Sequence, residues 1–478
     1  MKLNREILRL ALPSILANIT VPLVGMVDMA VAGHLDVEGY SAAALIGGIT
    51  IGTMIFDLLY WNFGFLRVGT GGLTAQAYGR ELAGHNVIPG HNVIPGHNVI
   101  PGHDRVSPAI GNILRRALRI AFLSGLAMLV LQWVIVQLAF LLVDCSPEVR
   151  QLASRYFYIR IWAAPATLSL FAFKGWFIGL QDTVRPMTAD LLVNGINIAA
   201  SICLSLVLGF PGIALGTVMA QWSGFAYCLV TARRRYGYSI ALKSMICPSV
   251  PVIADTGTKT EATETKDFGS GSFFQLNRDL FLRSLGMIAV YIGFTIISAR
   301  YGDTLLAVSA ILMKLLMFFS YFSDGFAYAG EALTGRFIGE GSREGVRATV
   351  RGTFLWGLGV AALFMLAYGA GGVPILHLMT DDASVVEAGR EFLPWLLLMP
   401  LIGCPAFIWD GIFIGATASK DLRNSTLLCA VGFFAVWFAG VSFMKTPEAA
   451  IHLLMAAYFV HLAIRALYLT LRWPSYQY

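Results

Sequence analysis

The stretch "WNFGFLRVGTGGLTAQAYGR", residues 61–80, closes the second long apolar run of the chain, and part of it recurs later. Its last ten residues, "GGLTAQAYGR" (71–80), resemble "EALTGRFIGE" (331–340). Two further pairs occur in the same order: "AGHLDVEGYSAA" (32–43) with "ARYGDTLLAVSA" (299–310), and "KGWFIGLQ" (174–181) with "DGIFIGAT" (410–417). These pairs predict that the chain is an internal duplication.

The composition is that of a polytopic membrane protein. Of the 478 residues, 57% are hydrophobic and 13% are charged, and the mean hydropathy is +0.69. A soluble domain of this length is excluded by these values. The six cysteines are dispersed without a CxxC pair, so neither a zinc site nor a disulfide framework is indicated.

Apolar runs long enough to cross the hydrocarbon recur almost from end to end, and no alternating β-barrel pattern is present. The first run is expected to be retained, because no signal-peptide cleavage site follows it. The pattern predicts an all-α polytopic membrane protein with twelve transmembrane helices, at residues 7–33, 40–78, 107–142, 149–179, 184–208, 212–233, 279–299, 304–338, 346–379, 384–416, 422–443 and 448–471.

The predicted helices form two six-helix lobes, residues 1–236 and 278–478, joined by a polar cytoplasmic linker at 237–277. Six helices return the chain to its starting side, so the two repeats must be parallel. Lys and Arg residues are concentrated on one side if both termini are cytoplasmic. In that assignment Arg283 and Arg465 count as inside residues and Arg160 as an outside residue.

Histidines recur every six residues in "GHNVIPGHNVIPGHNVIPGHD" (84–104), which lies in a predicted cytoplasmic loop. Metal binding is one interpretation, but no Cys or acidic cluster accompanies the imidazoles. We therefore expect a duplicated loop insert and no metal site, because added loop length costs little free energy.

Of the ionisable side chains in the predicted helices, we take nine as lying within the membrane, six acids against three bases. Such groups are costly in hydrocarbon, so each is expected to face a partner or a substrate path. They are Asp28, Asp57, Arg67, Lys174, Asp190, Lys314, Asp324, Glu331 and Asp410.

The most isolated of these is Asp28, which is flanked by apolar residues in the first helix and preceded by Pro13 and Pro22 as candidate hinges. The fifth helix carries Asp190, Asn194, Asn197 and Ser201 on one face, and the sixth carries Thr217. We expect these residues to line a polar ion-coupling chamber with Asp28. The alternative for each amide or hydroxyl is an ordinary interhelical hydrogen bond.

The remaining charges suggest a substrate cavity or gate made by Arg67, Lys174, Glu331 and Asp410. Lys174 and Asp410 occupy equivalent repeat positions with opposite charge. Arg67 is expected to hold a carboxylate, with Asp28, Asp57 and Glu331 as candidates.

Five motifs in order resemble the multidrug and toxic compound extrusion (MATE) family, within it the DNA-damage-inducible (DinF-like) bacterial branch. They are "FGFLRVGTGGLTAQAYG" (63–79), "GWFIGLQDTVRPM" (175–187), "FFQLNRDLFLRS" (273–284), "YAGEALTGRFIG" (328–339) and "DGIFIGATASKDLRNS" (410–425). The resemblance implies a V-shaped exporter whose two lobes alternate between outward-open and inward-open states, driven by a proton or sodium gradient.

The resemblance also assigns site residues. Asp28 matches the family's first-helix acid, Pro13 its proline, Asn197 its helix-five asparagine and Thr217 its helix-six threonine. Where many relatives carry an aspartate four residues after that asparagine, this chain has Ser201. Asp190 is the candidate to replace the missing carboxylate.

The expected function is efflux of amphipathic, cationic organic compounds by antiport with H⁺ or Na⁺, through a cavity lined by Trp162, Phe173 and Trp176. A lipid-linked oligosaccharide flippase is the alternative within transport, and it is disfavoured by the excess of acids. An intramembrane enzyme is disfavoured because no HExxH or GxSxG motif occurs. We expect a monomer in the bacterial cytoplasmic (inner) membrane, with small-molecule substrates and the lipid bilayer as partners, no nucleic acid and no cofactor beyond the coupling ion.

Overall fold

The computed structural model describes residues 2–35, 40–86, 106–142, 145–237, 270–380 and 382–476. These residues are almost entirely α-helical, as the sequence predicts. The first half contains α1 (Lys2–His34), α2 (Ala42–Asn62), α3 (Phe65–Asn86), α4 (Pro108–Val130), α5 (Gln132–Leu142), α6 (Pro147–Arg160), α7 (Ala164–Gly179), α8 (Val184–Leu208) and α9 (Phe210–Tyr236). The second half contains α10 (Ser270–Ser298), α11 (Asp303–Gly339), α12 (Arg343–Met379), α13 (Ala383–Glu391), α14 (Leu393–Gly415), α15 (Ser419–Gly440) and α16 (Pro447–Arg472).

Within the described ranges, eleven helical spans are long and apolar enough to cross a membrane. A twelfth is completed by α4 and α5, which meet at a bend of 71°. The twelve-helix prediction is therefore confirmed. α10 begins at Ser270, ahead of the expected lobe boundary at 278. The histidines at 91, 97 and 103 of the repeated loop segment lie outside the described residues.

Several predicted helices consist of two segments. The second span is interrupted after Asn62, where the Phe63 N–H bonds the Tyr60 carbonyl and a new helix begins at Phe65. The fourth span contains a short 3₁₀ turn at Ile161–Ala163, before Pro165 in the first turn of α7. α1 instead runs unbroken through Pro13 and Pro22, so the hinge role of these prolines stays a prediction.

The internal duplication is visible in how glycines allow close helix packing. A Cβ on Gly175 of α7 would meet the Arg67 carbonyl of α3, and one on the equivalent Gly411 of α14 would meet the Ala327 carbonyl of α11. The two turns that follow α7 and α14 repeat as well. Gln181 (φ 61°) and Thr417 (φ 54°) are the two non-glycine residues with positive φ among those described, and they occupy matching repeat positions.

The two halves contact each other where α1 begins, which we call the N-terminal end of the bundle. There α1 and α3 pack against α11, and α3 also contacts the start of α10 and the end of α14. Asn18 of α1 donates a hydrogen bond to the Tyr321 carbonyl of α11 at 3.4 Å. These contacts hold the halves together along one side of the membrane-spanning bundle.

Candidate functional site

The interior of the first half contains a buried carboxylate with an unused acceptor. Asp28 of α1 is only 5% exposed, and its Oδ1 has no hydrogen-bond partner among the described residues. Ser201 of α8 lies close to the carboxyl group while its hydroxyl donates to the Ile213 carbonyl at 3.3 Å, and the charge of Arg160 acts on the carboxylate. A buried acceptor without a donor is costly, so Asp28 is suited to receive a proton or a cation.

Two amides on the same α8 face as Ser201 are held by threonine hydroxyls. Asn197 Nδ2 donates to Thr217 Oγ1 at 2.9 Å, which joins α8 to α9. Asn194 Nδ2 donates to Thr20 Oγ1 at 2.7 Å, which joins α8 to α1. The Oδ1 of Asn197 is buried without a partner, and so a second acceptor is available in this half.

Asp190 has a basic partner of its own. Its carboxylate forms an ion pair with Lys174 of α7, although it lies on the same helix as Asn194 and Asn197. That Asp190 joins Asp28 in one chamber stays a prediction; in this structure its charge is compensated by the ammonium of Lys174.

Arg160 is a residue that sequence reasoning assigned to the outside loops. It ends α6 inside the span Pro147–Gly179. Its Nη1 donates to Thr53 Oγ1 at 3.2 Å and to Tyr156 Oη at 3.1 Å, and its guanidinium lies 4.8 Å from the Phe56 ring centroid. The uninterrupted run into "IWAAPA" was the signal that Arg160 belongs to the span.

The second half contains an acid held by two bases. Asp410 of α14 accepts a hydrogen bond from Arg283 Nη2 at 2.5 Å and from Arg465 Nε at 3.0 Å. All three side chains are buried. Because one carboxylate faces two guanidiniums, the group carries a net positive charge. Asp410 and its repeat counterpart Lys174 do not contact each other, since each is paired inside its own half.

Arg67 pairs with Glu331, one of its three predicted candidates. Its Nη1 lies 3.1 Å from Glu331 Oε2, and its guanidinium lies 4.5 Å from the Tyr328 ring centroid. Glu331 is fully buried, and a Cβ at Gly71 would collide with its carboxylate. This ion pair connects α3 of the first half with α11 of the second.

Further contacts between the halves are related by the internal repeat. Gln76 Nε2 donates to Thr417 Oγ1 at 3.2 Å, whereas Arg336, at the equivalent position, donates through Nη1 to Gln181 Oε1 at 3.4 Å. Each side chain thus reaches the left-handed turn of the opposite half. Arg336 also donates to Glu6 Oε1 at 2.9 Å. Together these contacts close the N-terminal end of the bundle.

Comparison with known proteins identifies the family to which this chain belongs. The MatE family model matches residues 107–203 and 280–437, more than half of the chain. The DNA damage-inducible protein F of Escherichia coli (strain K12) is 32% identical over 98% of this chain and 92% of its own length. The chain belongs to the MatE family of transporters.

More distant proteins are similar to this chain over nearly its whole length. Protein DETOXIFICATION 44, chloroplastic, of Arabidopsis thaliana is 22% identical over 97% of this chain and 81% of its own length. A MOP superfamily transporter from Pyrococcus furiosus has 15% identity and a TM-score of 0.77, covering 100% of this chain and 97% of its own. A MATE crystal structure in the bent conformation has 16% identity and the same TM-score, at 100% and 96% coverage. These structures establish the fold of the chain.

Two expectations about the interior of this MatE protein are wrong. Phe173 and Trp176 are completely buried in the first half, where the Trp176 indole N–H donates to the Ile110 carbonyl at 3.3 Å. They are packing residues, and only Trp162 is exposed, at 58%. The excess of acids is also smaller than expected, because Arg160, Arg283 and Arg465 lie inside spans, as does the buried Asp279.

Proposed function

We propose that this MatE protein exports amphipathic organic compounds in exchange for H⁺ or Na⁺ by alternating access. The observation that carries the proposal is Asp28, a buried carboxylate with an unsatisfied oxygen close to Ser201. The paired amide of Asn197 lies one turn from Ser201 on the same helix. A coupling cation that binds Asp28 differently in two conformations of the protein can drive the cycle.

The pattern of contacts between the halves supports alternating access. Close glycine contacts and the Arg336–Glu6 ion pair join α1 and α3 to α11 at the N-terminal end, and Gln76 of α3 donates a hydrogen bond to Thr417 after α14. If the termini are cytoplasmic, this conformation is closed toward the cytoplasm and is the one that releases substrate. We place the protein as a monomer in the bacterial cytoplasmic membrane, with Arg67 and Glu331 as part of the closed gate.

The flippase alternative gains one observation. The sequence argument against it was an excess of acids in the spans, and the buried arginines Arg283 and Arg465 reduce that excess. A fluorescent lipid-linked oligosaccharide in proteoliposomes distinguishes the two functions, because a flippase changes its leaflet accessibility and a drug exporter does not.

The decisive test of the proposal is drug efflux from proteoliposomes that contain the wild type or Asp28→Asn, under separately imposed pH and Na⁺ gradients. We expect one of the two gradients to drive export by the wild type and neither to drive export by the variant. Asn197→Ser, which keeps a polar group beside Thr217, serves as a milder variant of the same group. Gradient-driven export by Asp28→Asn at the wild-type rate would overturn the assignment of Asp28.

A further inference from the structure

Asp324 lies at a junction of three arginines that it does not contact. This half-buried residue of α11 is within electrostatic range of Arg67, Arg283 and Arg465, which come from α3, α10 and α16. Nevertheless, Asp324 has no ion pair or hydrogen bond with any side chain in the part of the chain that the structure describes. The three guanidinium groups therefore lie near the Asp324 carboxylate without contacting it.

One of these three arginines, Arg283, has unused donor capacity. Arg283 is 9% exposed, and its Nε is buried without an acceptor among the described residues. Its Nη2 already binds Asp410, which Arg465 also holds through Nε. Asp410 thus leaves one positive charge of this pair of arginines uncompensated, and a planar anion could use the remaining donor.

The charges on the other side of the junction are balanced. Arg67 is neutralised by Glu331 across the two halves, so the uncompensated charge belongs to the Arg283 and Arg465 pair. Asp324 supplies the compensating negative charge at a distance. An anionic group placed between Arg283 and Asp324 would take over this role at contact distance, but it would experience repulsion from Asp324.

We propose that Arg283 and Arg465, with Arg67 behind them, form a recognition site for an anionic group, such as a carboxylate or sulfonate, on an amphipathic substrate. Asp324 is the internal anion that the substrate group replaces. The inference rests on the proposed export function and names a substrate class for it. It departs from the cationic substrates that the sequence predicts.

Two substitutions should have opposite effects. Arg283→Gln removes the donor, and Asp410 can then pair with Arg465 alone, so folding should be maintained. Asp324→Asn keeps the shape of the side chain and removes the competing negative charge. Export of an anionic probe should weaken in the first variant and strengthen in the second, a combination that general structural damage does not produce.

The experiment compares two probes that share one scaffold in proteoliposomes. Anilinonaphthalene sulfonate carries a permanent negative charge, while N-phenylnaphthylamine is its neutral counterpart, so their difference isolates the anionic group. Ethidium serves as the cationic probe, and Arg390→Gln on the exposed surface is the charge-matched control variant. Half-maximal probe concentration for export is measured against vesicles without protein.

We expect Arg283→Gln to raise the half-maximal concentration for the sulfonate probe about tenfold, as for the loss of a hydrogen bond to a charged group. Asp324→Asn should lower it, and neither variant should change it for the neutral probe by a comparable factor. Wild-type export of ethidium without export of the sulfonate, or equal effects of Arg283→Gln on all probes, overturns the anion site and leaves the export function intact. Failure of the wild type to export any probe contradicts the export function itself.

Discussion

Arg67 of α3 donates a hydrogen bond to Glu331 of α11 at 3.1 Å and thereby links the two halves of the chain by an ion pair whose acid is completely buried. Gly71, one turn after Arg67, leaves the space that the carboxylate occupies. The charge in the apolar run at 61–80 is retained because it has a partner in the other half. Four predictions follow from this pair and from its surroundings.

Neutralising one member of the Arg67–Glu331 pair should cost more than neutralising both. Arg67→Gln leaves Glu331 buried without a cation, which destabilises a protein by about 3–5 kcal/mol. We expect normal insertion, a lower thermal unfolding temperature and strongly reduced efflux. The double variant Arg67→Gln with Glu331→Gln should be more stable than the single one. Wild-type export by Arg67→Gln would remove this residue from the gate.

A methyl group at the interface between the halves should open the N-terminal end. A Cβ on Gly79 would overlap the Arg336 carbonyl, and one on Gly339 would overlap the Gln76 carbonyl. We expect Gly79→Ala to destabilise this closed arrangement by about 1–3 kcal/mol through overpacking, and to increase thiol labelling of a cysteine placed at Ala75. Gly359→Ala, where nothing lies within 4 Å of the added Cβ, is the matched control and should leave labelling unchanged.

The two equivalent charged positions should differ in how much they stabilise the fold. Asp410→Asn leaves Arg283 and Arg465 buried side by side without an acid, so we expect a loss of about 3–5 kcal/mol. Asp190→Asn breaks a pair whose side chains are 19% and 24% exposed, and we expect a smaller loss because a single, less buried cation is left behind. Thermal unfolding in detergent compares them. Equal losses of stability in the two variants would show that the Arg283–Asp410–Arg465 group has no special role in stability.

Arg160 should set how strongly the coupling ion binds. Its positive charge acts on Asp28, so its removal should strengthen the binding of a cation at Asp28. In Arg160→Gln we expect the export rate to reach half of its maximum at a higher pH if the protein is proton-coupled. If it is sodium-coupled, we expect this at a lower Na⁺ concentration. Arg160→Lys should restore the wild-type dependence in part. An unchanged ion dependence in Arg160→Gln would show that this guanidinium only supports Thr53 and Tyr156.

Much of the architecture was determined by the sequence. The apolar runs gave the twelve spans because a bilayer requires about 20 apolar residues for each crossing, and the repeated segments gave two related halves. Pairs such as Gly175 and Gly411 show why the repeats are visible, since both positions lie where a neighbouring backbone leaves no room for a Cβ. The approximate place of Asp28 also followed, because a lone acid in an apolar helix stands out.

The charge partners were decided only by the tertiary structure. Helical periodicity places Asp190 on the same face as Asn197, but the choice of Lys174 as its partner depends on how α7 packs against α8. Similarly, Arg283, Asp410 and Arg465 are separated by long stretches of sequence and meet because α10, α14 and α16 converge. Local hydropathy fixes which segments enter the membrane, whereas the pairing of buried charges depends on distances between helices that no local pattern contains.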